Sequence, residues 1–140
     1  MIAEIIARLQ AQVTSLKVVS GVADFSTAAV NKPMATPAAF VLLASESAED
    51  NQLLGAFDQR ISVVFTVILA LSNRRDPTGA AAMDDLEALR TAIKSALLAW
   101  CPTPANGEPV RFGSGQLLRF DDGLLWWADE FRVTTYLRMP

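Results

Sequence analysis

Three pairs of adjacent carboxylates are the first residues whose types could do chemistry: Asp84–Asp85, Asp121–Asp122 and Asp129–Glu130. Acid–base work on one bond needs two carboxyls that converge on it from different environments. Neighbours in sequence on a strand or turn diverge, so these pairs read as a solvated helix start and solvated turn and strand surfaces. The chain contains no histidine, which removes the commonest general base, nucleophile activator and metal ligand together. Cys101 follows Trp100 at the expected end of a helix, and with no histidine to activate it, it reads as a structural thiol. The "GSG" at Gly113–Gly115 has the outline of a phosphate loop, but no helix follows whose N-terminus could hold the anion, so a turn between strands is expected. Arg74–Arg75 fall at a strand-to-helix junction, where they could meet an acidic partner or be solvated. No metal-ligand spacing occurs. The expectation is a protein that is not an enzyme and needs no cofactor.

The elements that must position these residues are set by hydrophobic spacing. Ile2, Ile5, Ile6, Leu9, Val13 and Leu16 form one stripe of an amphipathic helix. "VVSGVADF", Val18 to Phe25, reads as a short strand with a bulge at Gly21, and "STAAVNKPMATP" as a loop. A strand is expected from Ala39 to Ser45. A longer one runs from Phe57 to Leu71, with Ile61, Val63, Phe65, Val67 and Leu69 on one face. Both of its faces turn apolar towards its end, which places it centrally in a sheet. Between them "ESAEDNQLLGA" makes an extended hairpin tip carrying Glu49 and Asp50. Asp76 before Pro77 suits a helix start, and Leu86, Leu89, Ile93, Leu97 and Trp100 continue a helical stripe that the prolines of "CPTPANGEP" end. A short strand around Val110 and a hairpin turning at Asp121–Asp122–Gly123 complete the chain.

The expected order is therefore α-β-β-β-α-β-β-β in a single domain, 1–140. The fold class is α+β: a mixed, mainly antiparallel sheet of five to six strands, two helices on one face, and the other face partly bare.

Composition narrows the function. The chain is 51% hydrophobic and 19% charged, apolar-rich for a small domain in which about a quarter of residues are usually charged. The longest apolar run, Ile61 to Leu71, is too short to span a bilayer, which needs ~20 residues. That leaves an interface buried in an oligomer to account for the surplus. Net charge is −3, and no basic stripe with interleaved aromatics marks a nucleic-acid site. In the last strand Trp127, Phe131, Val133 and Leu137 share the core face. Trp126 falls with Arg132, Tyr136 and Arg138, a mix of aromatic and arginine typical of protein interfaces. Trp126 is accordingly expected to be available to a partner.

Taken together, the long alternating strand, "SNRRDPTGAAAMDDLEALRTAIKSALLAW" and "CPTPANGEPVRFGSGQLLRFDDGLLWWADEFRVTTYL" resemble the tail terminator proteins of tailed bacteriophages. The shared features are the helix ending "LLAWCP", the Pro-rich link, the glycine-bounded strand and the closing aromatic strand, from Phe57 onward. The resemblance implies a hexameric ring that docks on the last ring of tail-tube protein, stops its polymerisation and offers a surface for joining the head. Its implied partners are further copies of itself, the tail tube protein and a head-completion or neck protein, with no membrane and no sequence-specific nucleic acid. Its implied location is the host cytoplasm during assembly and then the virion tail, whether of a free phage or a prophage. Interface candidates are Trp126, Tyr136, Arg132, Arg138, Arg74, Arg75, Glu49 and Asp50. Alternative readings are a neck or head–tail connector protein of the same fold, a small-ligand-binding module and, weakest, a hydrolase.

Overall fold

A computed structural model describes residues 1–51, 53–72, 80–103, 107–121 and 123–139. Its elements are α1 (Ile2–Gln12), β1 (Val18–Ser20), α2 (Val22–Asn31), β2 (Ala38–Ala48), β3 (Phe57–Ser72), α3 (Ala80–Leu97), β4 (Arg111–Asp121) and β5 (Leu124–Met139). The five strands form one sheet in the order β1-β2-β3-β5-β4, with β1 parallel to β2 and every other pair antiparallel. The α+β class holds, and β3 is central as its two apolar faces require.

β3 and β5 pair along sixteen residues each, from Phe57↔Met139 to Ser72↔Leu124. The odd-numbered side chains of β3 face α1 and α3. Ile5 and Leu9 of α1 and Leu86, Leu89, Ile93 and Leu97 of α3 bury their stripes against Phe65, Val67, Leu69 and Phe131. Phe65 and Phe131 are cross-strand partners and stack with centroids 5.4 Å apart. Arg8 fastens the two helices: it hydrogen-bonds the carbonyl of Ala96 near the end of α3 and lies 4.7 Å over the Trp100 ring. α3 ends at Leu97, before Trp100, and α1 ends at Gln12, although Val13 and Leu16 continue its packing.

The other face of the sheet is where the structure departs from the sequence reading. The strand expected at Val18–Phe25 stops at Ser20, and the chain then turns into a helix, α2, in place of further strand and loop. Gly21 is its N-cap in extended backbone, and Lys32, at φ 70°, ends it just before Pro33. Nothing in "VADFSTAAVN" announces a long amphipathic stripe. The helix is held by Phe25 and Ala28, which dock on Phe40, Ile68, Ala70 and Trp126. The observed order is thus α-β-α-β-β-α-β-β. The strand expected around Val110 is a single bridge from Val110 to Leu98, and β4 comes directly after it.

α2 covers only the end of this second face that carries Ala38, Phe40, Ile68 and Ala70. Towards the β2–β3 hairpin the same face presents Ser47, Ser62, Arg60, Arg132, Tyr136 and Arg138, as a partly bare sheet should.

Candidate functional site

The candidate residues divide between the two ends of that second face. Trp126 shares its face with Arg132, Tyr136 and Arg138, as its parity demands, but it is not available to a partner. It is only 3% exposed, because α2 roofs it: its ring meets Phe25 edge-on at 6.2 Å and stacks on Phe40 at 6.4 Å. The helix missed from sequence is the physical reason for this correction. The indole Nε1 of Trp126 finds no hydrogen-bond partner among the described residues.

Tyr136, Arg132 and Arg138 stand at the uncovered end. Tyr136 is half-buried, and its hydroxyl lies 3.2 Å from Glu108 Oε1, to which it donates. Arg138 stacks over the Tyr136 ring at 4.6 Å and pairs with Asp58 at 3.2 Å. Arg132 is exposed and pairs with Glu130 at 3.2 Å. Glu49 and Asp50 lie just past the end of β2, both exposed. The backbone N–H of Glu49 donates to the carbonyl of Arg60, and Arg60 is in turn the cross-strand partner of Tyr136. Glu49, Arg60, Tyr136 and Arg138 therefore gather at one end of the molecule from distant parts of the chain. Arg74, Arg75 and the expected cap at Asp76–Pro77 lie outside the described residues.

Asp84 and Asp85 are exposed on α3. Cys101 is an exposed free thiol whose Sγ lies 3.3 Å from the carbonyl of Gly107. Asp122 lies outside the described residues. The pair Asp129–Glu130 splits across the sheet, Glu130 towards Arg132 and Asp129 into the core.

Asp129 is the residue that the sequence reading overlooked. It is completely buried, and its carboxylate accepts from Arg90 Nε at 3.0 Å and Nη2 at 2.9 Å and from Trp127 Nε1 at 2.9 Å. The Arg90 guanidinium also lies 4.5 Å over the Trp127 ring. A buried carboxylate is tolerable only when paired and hydrogen-bonded in this way. The available signal was parity: Asp129 is odd-numbered, like Trp127 and Phe131, and so had to point at the core face. The "GSG" lies within β4 and not in a turn, which corrects the expectation for that motif. Gly115 sits where a β-carbon would meet Asp129, Arg90 and Trp127, and Gly113 marks a register shift between Phe112 and Ser114.

A cleft of about 640 Å³ opens beside Ser15, Lys17, Thr36 and Asp85. Among the described residues no group of three histidine, cysteine or carboxylate side chains could hold a metal. No helix among them is long and apolar enough to cross a membrane.

What the molecule does offer is surface. β4 is an edge strand whose residues are exposed along Arg111–Phe120, including Phe112, Leu117, Leu118 and Phe120. Exposed apolar edges are usually guarded in monomers. The family model described as Phage tail terminator protein matches residues 2–139. The chain belongs to the phage tail terminator family. No curated protein matches it. The tail terminators are a structural family, so membership gives this chain a structural role in the phage tail, one exercised by assembly with other tail and head proteins. The match extends to the first 56 residues as well, beyond the part whose motifs carried the resemblance.

Proposed function

We propose that this tail terminator acts as a single-domain, non-enzymatic ring protein. Six copies close on the end of the growing tail tube, stop its polymerisation and present the opposite surface to a head-completion or neck protein. The observation that carries the reading is the exposed apolar edge at β4, set in a chain whose family membership covers nearly its whole length. A head-to-tail contact that closes on itself makes a ring, and such a contact accounts for the apolar surplus in the composition. The uncovered end bearing Glu49, Asp50, Arg132, Tyr136 and Arg138 is the surface assigned to the tube. Assembly takes place in the host cytoplasm and the product resides in the virion tail.

The test is tube length. Purified tail tube protein polymerised with and without this chain should give short, capped tubes only in its presence, with about six copies at each capped tip. Uncontrolled tubes with no bound chain would overturn the reading. Binding to isolated neck protein without any effect on tubes would support a head–tail connector instead.

A further inference from the structure

The two edges of the sheet match each other. Along the register that crosses it, Phe112 of β4 pairs with Phe131, Phe131 with Phe65, and Phe65 with Leu43 of β2. Phe112 and Leu43 therefore stand at the same level and on the same face, at opposite edges. Both are large apolar residues that keep part of the side chain in solvent, 37% and 53% exposed, although the Phe112 ring also meets Phe131 edge-on and lies under Lys94 Nζ at 4.2 Å. In the same way Arg111 runs through Arg132 and Val64 to Ser45, next to Glu46. The outer edge of β2 is covered by β1 only from Ala38 to Phe40, so the segment from Val41 to Ala48 has no outer neighbour among the described strands. Its end is acidic, with Glu46, Glu49 and Asp50, whereas β4 carries Arg111 at the level of Ser45.

We infer that β4 of one copy pairs antiparallel with the Val41–Ala48 edge of β2 of the next, seating Phe112 against Leu43 and bringing Arg111 level with Ser45. A rotation about an axis along the strands keeps every residue at its own level. It also brings β4, antiparallel to β5, beside a β2 that runs the opposite way. Backbone hydrogen bonds supply the attraction, the apolar pair fixes the register, and the opposed charges disfavour β4 meeting another β4. The two faces of this contact differ, so it propagates in one direction and closes only as a ring. The inference rests on the ring reading above and names the surface that makes the ring.

The test is disulfide trapping in a Cys101→Ser background. Leu43→Cys and Phe112→Cys in one chain cannot join within it, because three strand spacings, about 14 Å, separate the two edges. Oxidation of this double variant on purified tail tubes should give a ladder of covalent multimers up to the ring. Each single variant, with no cysteine opposite it in the contact, should give no ladder, and Val30→Cys with Phe112→Cys should give none either. Hydrogen exchange on the unmodified chain is the second readout. Amides of 41–48 and 111–118 should slow about tenfold or more on assembly. Rings that cap tubes yet show neither the ladder nor the protection overturn the edge pairing and leave the proposed function standing. If no ring forms even on tubes, both fail.

Discussion

Gly115 stands over the carboxylate of Asp129, so close that a β-carbon built on it would lie 2.6 Å from Oδ1 and 2.8 Å from Nη2 of Arg90. Glycine is thus required in mid-strand, where it ordinarily weakens a sheet, because a buried ion pair occupies the space beside it. Gly115→Ala should lower stability by about 1–3 kcal/mol as that pair is displaced. Gly113→Ala, whose nearest contact would be 3.1 Å from the Glu130 carbonyl, should cost less. Urea midpoints with unchanged slopes measure both, and equal losses would mean that the ion pair is not the constraint.

Arg90 and Asp129 should behave as a unit. Arg90→Met leaves a fully buried carboxylate with one neutral donor, and about 3–5 kcal/mol should be lost. Adding Asp129→Leu removes the stranded charge and should restore part of the stability, with a residue of about 1–3 kcal/mol for the unaccepted Trp127 N–H. A double-mutant cycle in denaturant reads the coupling. Additive losses would contradict the arrangement described.

Trp126 separates packing from assembly. Because its N–H has no partner among the described residues, Trp126→Phe loses no hydrogen bond and leaves only the space between the two rings, so it should cost clearly less than truncation to alanine. Trp126→Ala empties the space beneath α2 and should cost about 3–5 kcal/mol. Light scattering should find the assembly of the Phe variant unchanged. A monomeric Phe variant of normal stability would return Trp126 to the interface.

Arg138 should show the reverse behaviour. Its pairing with Asp58 is largely solvent-exposed, and such pairs contribute about 0–1 kcal/mol. Arg138→Glu should leave the thermal midpoint within a few degrees of the unmodified protein while reducing the control of tube length. Unaltered capping would remove this end of the sheet from the proposed tube contact.

The parts of the fold legible in sequence are those with strong periodicity. The alternation from Ile61 to Leu71 gave β3 its core face, and the stripes of α1 and α3 gave the helical layer. α2 was not legible because its ten residues are mostly small, with alanine, serine and threonine between Val22, Phe25 and Val30, and its stability comes from Phe25 meeting Phe40 and Trp126, which are distant in sequence. That one helix changes the environment of Trp126 and leaves its face on the sheet as parity dictates. Asp129 was hidden for a related reason: its partner Arg90 is 39 residues away, and only parity hinted that the carboxylate turned inward. Tyr136, Arg138 and Glu49 came together because β3 lies between their strands, a consequence of topology that spacing alone does not reveal.

The full-length pairing of β3 with β5 has a mechanical consequence. Sixteen residues per strand span about 50 Å, whereas the eighteen residues of α3 span about 27 Å. The ribbon therefore outruns its helical backing, and its length is set by backbone rise and not by how side chains pack. A pull along it loads many interstrand hydrogen bonds together in shear, so they cannot open one at a time. Copies standing side by side would behave as staves, giving the assembly a fixed height and passing axial tension from one rim to the other with little stretch.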